Sequence, residues 1–196
     1  MRNNKVKQLS YMAMFSALCY VGTLIHIPIN IGSSSTMIHL GNVFLLIAAL
    51  SLGGFKGGLS AAVGMSIFDL TNGWATYAPS TFVLKLVMGL VCGSLYTLIK
   101  EKKINSNLKI ILPLIAGGIT NIILDPIVTT YLRKWIFGFE SEATSLLLKY
   151  ESFATLINAV IAILLSFVMF KAIKKSHLLD AFEKNNNNLK NTVNLQ

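Results

Sequence analysis

The sequence predicts an all-α integral membrane protein with six transmembrane helices, on three observations. Of its 196 residues, 54% are hydrophobic and only 13% are charged, whereas soluble domains carry roughly 25% charged residues. The mean hydropathy is +0.63. Apolar stretches close to the roughly 20 residues that a helix needs to cross a bilayer recur along most of the chain. The predicted spans are about 9–29, 38–53, 55–72, 80–99, 108–125 and 150–172.

These spans predict one membrane domain, residues 1–175, with no room for a second folded domain. The polar segment 176–196 predicts a disordered tail. No small-x-small cleavage site follows the first apolar run, so we expect it to be retained rather than removed as a signal peptide. The second span is short, and the glycine-rich segment 53–58, GGFKGG, predicts a tight turn into the third.

The positive charge predicts the orientation in the membrane. The formal net charge is +9, but the basic residues flank hydrophobic runs instead of gathering on a soluble surface, which argues against nucleic-acid binding. With the N-terminus inside, most of the Lys and Arg residues fall on the cytoplasmic side, as the positive-inside rule requires. We therefore expect a multi-pass protein of a bacterial plasma membrane with both termini in the cytoplasm.

Three segments then face outward. Residues 28–37 are rich in Pro, Gly and Ser and predict a mobile loop. Residues 73–79 carry Trp74 and Tyr77. Residues 126–149 mix aromatic and charged side chains and predict an interfacial helix or a lid on the membrane surface.

The polar residues inside the spans share one depth. A charged side chain at mid-bilayer costs at least about 2.5–3.5 kcal/mol on insertion scales, so each one needs a reason. Five spans place their polar residues in their outer halves, and their inner halves are almost purely apolar. This asymmetry predicts a polar pocket open to the outside with no path below it, unlike a channel or a self-sufficient carrier. The candidate substrate-binding residues are His39, Asn42, Asp69, Asn72, Trp74, Tyr77, Lys85, Asn121, Asp125 and Asn158.

Each candidate also has a structural interpretation. Asp69 and Lys85 can neutralise each other as a pair, and His39 can be a capping histidine. The asparagines can be interhelical hydrogen-bond partners, and Trp74 and Tyr77 can be interface aromatics. Glu151, at the start of the last span, is expected to be solvated.

Small residues at four-residue spacing predict close helix packing. In the third and fourth spans, Gly57 with Ala61, Ser60 with Gly64, and Gly89 with Gly93 are expected to pack internally. Ala13 and Ala17 differ, because the first span has almost no polar residues of its own and its small face is free for a partner.

The sequence gives little support to catalysis or metal binding. It lacks G-x-S-x-G, H-E-x-x-H, C-x-x-C and Walker A motifs, so we expect neither an enzyme nor a cofactor. Cys19 and Cys92 fall inside spans and predict small buried hydrophobes, with no disulfide and no metal site. Without a nucleotide-binding loop the chain cannot itself couple uptake to ATP.

Two blocks in the chain resemble a known family. HLGNVFLLIAALSLGGFKGGLSAAVGMSIFDL and YAPSTFVLKLVMGLVCG together cover residues 39–93. They are similar to substrate-binding S components of energy-coupling factor (ECF) vitamin transporters, in the subfamily associated with riboflavin, or with pyridoxine and hydroxymethylpyrimidine. The A-x-x-x-A pattern of the first span and the six-span layout agree with this resemblance.

The resemblance implies partners and a gate. Ala13 and Ala17 would contact a membrane-spanning coupling (T) subunit, two cytoplasmic ATPases would drive the cycle, and the S component would topple in the membrane. The outer loop, with Pro28, Gly32, Ser33 and Ser34, would gate the ligand.

The ligand and the general class of function stay open at this point. The polar residues favour a pyridoxine- or pyrimidine-like vitamin stacked on Trp74 or Tyr77, and riboflavin, which needs a larger apolar slot, is the alternative. Two other classes are a structural membrane protein whose polar cluster only joins helices, and an intramembrane enzyme.

Overall fold

The fold is a bundle of six α-helices with a two-stranded β-hairpin at one end. The computed structural model describes residues 2–31, 34–138 and 141–176. The elements in chain order are α1 (Arg2–Leu24), β1 (His26–Ile31), β2 (Ser34–His39), α2 (Gly41–Leu52), α3 (Gly54–Thr71), a short 3-10 helix (Ala75–Tyr77), α4 (Ala78–Ile99), α5 (Ser106–Phe137) and α6 (Ser141–Lys175).

Consecutive helices run in opposite directions, which gives the bundle two distinct ends. α1 and α3 are parallel: Lys56 Nζ donates to Gln8 Oε1 at 2.8 Å near their starts, and Tyr20 lies 3.4 Å from Thr71 near their ends. We call the end that carries β1 and β2 the hairpin end. The opposite end, called here the termini end, holds the start of α1 and the end of α6.

Small residues let neighbouring helices approach closely. A Cβ on Gly64 of α3 would lie 2.1 Å from the carbonyl oxygen of Ser16 in α1. A Cβ on Gly89 of α4 would lie 2.3 Å from the Cα of Gly58 in α3. These glycines are therefore points of backbone contact inside the bundle. Gly53, the one residue between α2 and α3, has a φ of +85°, which L side chains rarely adopt.

The short helix α2 creates space at the hairpin end. It has 12 residues, about 18 Å at about 1.5 Å per residue, against a hydrocarbon core of roughly 30 Å. Because α2 meets α3 at the termini end, its first residues lie below the hairpin end. The β-hairpin occupies the remaining depth. Below it the bundle is filled by an apolar core that includes Leu45, Leu46, Met88 and Leu114.

The hairpin corrects two expectations about the outer loop. The first span was predicted to run to residue 29, and residues 28–37 to be a loop in an all-α protein. Instead α1 ends at Leu24, and β1 and β2 pair antiparallel, with Pro28 opposite Met37 and His26 opposite His39. Ile and Thr residues favour an extended backbone. Proline is tolerated because β1 is an edge strand, so one side of it needs no hydrogen-bond donor. Gly32 and Ser33 lie outside the described residues.

The segment 126–149 forms no separate interfacial helix in the described residues. α5 continues through Pro126 to Phe137, and α6 already begins at Ser141. Proline is tolerated inside membrane helices when neighbouring groups satisfy the freed backbone carbonyl. The predicted tail, apart from Ser176, lies outside the described part of the chain.

Within the described ranges, three helices are long and apolar enough to cross a membrane: Ala75–Ile99, Ser106–Thr129 and Glu151–Lys175. Gly41–Leu52 is apolar but shorter. α1 opens with a polar stretch, and α3 is rich in Gly and Ser and carries Lys56 and Asp69, which lowers the hydropathy of both. The six predicted spans thus correspond to six helices, and three of these have the length and composition of a span.

Candidate functional site

A cavity of about 80 Å³ lies at the hairpin end, where α2 begins. All six helices, β2 and the 3-10 segment contribute to its wall. The structure brings nine of the ten candidate polar and aromatic residues to this cavity, although they are spread over 120 positions of the sequence from His39 to Asn158. The wall comprises Thr23, Thr36, Met37, His39, Asn42, Met65, Asp69, Trp74, Tyr77, Thr81, Leu84, Lys85, Asn121, Asp125, Thr129, Glu151, Thr155 and Asn158.

Lys85 and Asp69 face the same cavity without forming a salt bridge. Lys85 is 6% exposed and its Nζ donates to Asn121 Oδ1 at 3.0 Å. Asp69 is 2% exposed and is hydrogen-bonded to the side chain of Thr81. Among the described residues the only ion pair joins Lys100 and Glu101. Asp69 and Lys85 therefore form no direct ion pair with each other in the structure.

Asn42 occupies the first turn of α2 and is buried in the cavity wall. It is 1% exposed, and neither its Oδ1 nor its Nδ2 has a hydrogen-bond partner in the described part of the chain. The Oδ2 atom of Asp69 is likewise buried without a hydrogen-bond partner in the described part of the chain. Buried polar atoms are rarely left unpaired, so these three atoms mark the cavity as a polar binding surface.

Asn158 of α6 holds the hairpin through two backbone hydrogen bonds. Its Oδ1 accepts from the backbone N–H of His39 at 2.9 Å, and its Nδ2 donates to the carbonyl of Met37 at 2.9 Å. The His39 ring is fixed in turn, because its Nδ1 accepts from the N–H of Gly41 at 3.1 Å. We call this contact between Asn158 and residues 37–39 the hairpin latch. It connects the mouth of the cavity to α6.

Asp125 already has partners within the bundle. Its carboxylate accepts hydrogen bonds from the Thr155 hydroxyl of α6 and, at 3.4 Å, from the Thr129 hydroxyl one turn along α5. This side chain therefore joins α5 to α6 beside the cavity, and it is less available to a ligand than Asp69.

The aromatic side of the cavity is formed by the segment between α3 and α4. The rings of Trp74 and Tyr77 are 5.6 Å apart with an interplanar angle of 58°. The Tyr77 hydroxyl donates to Glu151 Oε1 at 3.3 Å. Glu151 is 8% exposed and lines the cavity, so the expectation that it is solvated was wrong. Its helix begins ten residues earlier, at Ser141, which places Glu151 inside the bundle and not at a boundary.

Asn72 lies outside the cavity. Its Nδ2 donates to the carbonyl of Phe68 at 3.0 Å and lies 2.9 Å from the Thr71 hydroxyl, on the exposed end of α3. The one-turn spacing from Asp69 suggested a shared face, but Asn72 is the residue that ends the helix, so its side chain turns back onto the last turn. Of the gate residues, Pro28 is in β1 and Ser34 begins β2.

Several wall residues were not among the candidates. Thr81, Thr129 and Thr155 lie one turn from Lys85, Asp125 or Glu151 on the same helices, and this helical spacing was a usable signal. Thr23, Thr36 and Met37 gave no such signal: Thr23 is an isolated threonine in an apolar segment, and Thr36 and Met37 belong to the segment that was predicted to be a mobile loop.

A second concave surface lies between α1 and α3 on the outside of the bundle. It is an open apolar groove of about 680 Å³, and Ala13 and Ala17 are both exposed along it. We call it the α1–α3 groove. Its other lining residues are Leu9, Met12, Ser16, Tyr20, Val21, Leu59, Ser60, Val63, Gly64 and Ile67.

The described residues include no group of three His, Cys, Asp or Glu side chains that could hold a metal ion. Cys19 and Cys92 are buried and unpaired with each other.

Comparison with known proteins assigns the chain to a family. No curated protein matches it. The family model described as the ECF-type riboflavin transporter, S component, matches residues 3–175, which is nearly the whole described bundle, including the cavity, the hairpin and the α1–α3 groove. The chain belongs to the family of S components of ECF-type riboflavin transporters, which are substrate-binding subunits of vitamin transporters and not enzymes.

Proposed function

We propose that this chain captures a pyridoxine- or hydroxymethylpyrimidine-like vitamin in the cavity at the hairpin end. The observation that carries the proposal is the state of Lys85 and Asp69. Both are buried in the wall of one cavity, and they pair with amide and hydroxyl groups instead of each other. Neither side chain has a direct ion-pair partner among the described residues. Burying a charge is costly, and a polar ligand between the two would add hydrogen bonds to both.

The size of the cavity supports a small ligand. Its volume is about 80 Å³, below the roughly 300–1,000 Å³ of pockets that hold drug-sized molecules. A single heteroaromatic ring requires less expansion than the three fused rings of a flavin. Trp74 offers an aromatic face on which such a ring can stack.

Riboflavin is the second candidate, because the matching family is described by that substrate. Its binding would require the hairpin to move away from α6, since β2 contributes Thr36, Met37 and His39 to the wall. The two candidates therefore differ in how far the hairpin latch must open.

The proposed setting is a bacterial plasma membrane, crossed by six helices with both termini in the cytoplasm. The excess of Lys and Arg at the termini end supports this orientation. A membrane-spanning T subunit would dock in the α1–α3 groove at Ala13 and Ala17, and two ATPases would supply the energy. Below the cavity the described residues form a largely apolar core, which supports movement of the whole subunit over conduction through it.

The test is ligand binding by the purified chain. Native mass spectrometry and titration calorimetry against pyridoxine, hydroxymethylpyrimidine and riboflavin should identify one tight ligand. Lys85→Met should then weaken it by about 10- to 150-fold, because hydrogen bonds to charged groups contribute about 1.5–3 kcal/mol. Lys109→Met is the matched control, since Lys109 donates to the Lys100 carbonyl at the termini end and should leave affinity unchanged.

Two results would overturn the proposal. If none of the vitamins binds, the chain is better described as a structural membrane protein whose polar groups join helices. If a vitamin binds and Lys85→Met has no more effect than Lys109→Met, the ligand does not occupy this cavity.

A further inference from the structure

Three of the four buried side-chain atoms without partners, among the described residues, lie on the cavity wall. They are both amide atoms of Asn42 and Oδ2 of Asp69; the fourth is the hydroxyl of Ser51, on α2 but outside the cavity. Asn42 is 1% exposed and lines the cavity, so a partner for its amide has to lie inside the cavity. The pattern is that of a site whose hydrogen-bond partners arrive with the ligand.

The hydrogen bonds within the cavity wall also determine which of its atoms can donate a hydrogen bond to a ligand. A backbone N–H can only donate, so the Nδ1 of His39, which receives the N–H of Gly41, must be an acceptor. The neutral ring then carries its proton on Nε2. The site accordingly offers donors at His39 and Lys85, an acceptor at Asp69, and a donor next to an acceptor at Asn42.

We propose that Asn42 determines specificity by reading an aminopyrimidine edge, in which a ring nitrogen adjoins a carbon that bears an amino group. The Nδ2 of Asn42 donates to the ring nitrogen and its Oδ1 accepts from the amino group, a bidentate amide contact of the same kind as the one that asparagine makes with N6 and N7 of adenine. Asp69 Oδ2 receives a further N–H from the ligand. This proposal rests on the proposed function and narrows its substrate class.

The candidate vitamins differ in whether they carry the donor and acceptor that Asn42 requires. Hydroxymethylpyrimidine carries the required edge. Pyridoxine does not, because the carbon next to its ring nitrogen bears a methyl group or a hydrogen. The imide edge of a flavin has a comparable donor and acceptor, but its three fused rings require more expansion of the cavity of about 80 Å³ than a single ring does.

The experiment compares hydroxymethylpyrimidine with its analogue that lacks the amino group, by titration calorimetry on the full chain and its variants. The wild-type chain should prefer the amino compound by about tenfold or more, the discrimination of one bidentate pair. Asn42→Ala should abolish this preference, so that both compounds bind equally. The change in preference between the wild-type chain and Asn42→Ala isolates the contact between Asn42 and the amino group from any general loss of affinity.

A second variant separates the effect of Asn42 on ligand recognition from its effect on the stability of the fold. Asn42→Leu replaces the unpaired amide with an apolar group of similar size, so the melting temperature of the ligand-free protein should stay the same or rise while binding is lost. Ser51→Ala is the matched control: it removes the unpaired hydroxyl on the same helix and should leave the affinity and the preference unchanged.

The outcomes distinguish this inference from the proposed function. Tighter binding of pyridoxine or riboflavin than of hydroxymethylpyrimidine, or a preference that persists in Asn42→Ala, overturns the role of Asn42 and leaves vitamin capture intact. Failure of all the compounds to bind overturns both.

Discussion

Breaking the hairpin latch should release the ligand faster. Asn158→Ala removes both hydrogen bonds between α6 and β2, each 2.9 Å long, and nothing else in the described residues replaces them. Interhelical hydrogen bonds in membranes average about 0.6 kcal/mol, and intramolecular ones reach about 1.5 kcal/mol. Two bonds therefore contribute about 1–3 kcal/mol to the closed hairpin.

The free energy of the hairpin latch predicts the change in the dissociation rate of the ligand. If the hairpin must open before the ligand leaves, dissociation should accelerate about 5- to 150-fold, while the association rate changes little. Stopped-flow fluorescence can follow the release, since Trp74 lines the cavity. Hydrogen exchange at the backbone N–H of His39 should accelerate in parallel, because this group loses its acceptor.

The control for the latch is Ser166→Ala. Ser166 donates to the Val43 carbonyl at 3.0 Å, so it joins α6 to α2, the helix that follows the hairpin, outside the cavity. It should lower the melting temperature without changing dissociation. Equal dissociation rates in wild type and Asn158→Ala, with a lower melting temperature in the variant, would refute the latch and leave Asn158 as a link between helices.

Two further predictions concern α1. Gly64→Ala should destabilise the bundle by about 1–3 kcal/mol, because its Cβ would lie 2.1 Å from the Ser16 carbonyl. Gly118→Ala should cost less, because its one close contact is with the flexible end of Ile163, at 2.7 Å. Equal losses of stability in thermal unfolding of the two variants would contradict this packing. Ala17→Trp should preserve vitamin binding and abolish uptake by cells, since it fills the α1–α3 groove; normal uptake would exclude docking there.

Hydropathy and charge were sufficient to predict the depth at which the polar residues gather. Helix direction alternates along the chain, and five of the six spans place their polar side chains near one end. Hydropathy and charge were therefore enough to predict that Lys85, Asp69, Asn121 and Asn158 share a level. The membrane makes this possible, because polar groups are rare enough in apolar helices for each position to carry information.

The hydrogen-bond partners of these groups follow only from the folded bundle. The sequence could not show that Lys85 pairs with Asn121 and not with Asp69, or that Asn158 holds the backbone of the hairpin. It also missed the hairpin, whose strands are fixed by cross-strand pairing, and the burial of Glu151. Hydropathy reports how deep a residue lies, whereas hydrogen-bond partners depend on how the helices rotate and pack, which only the folded bundle specifies.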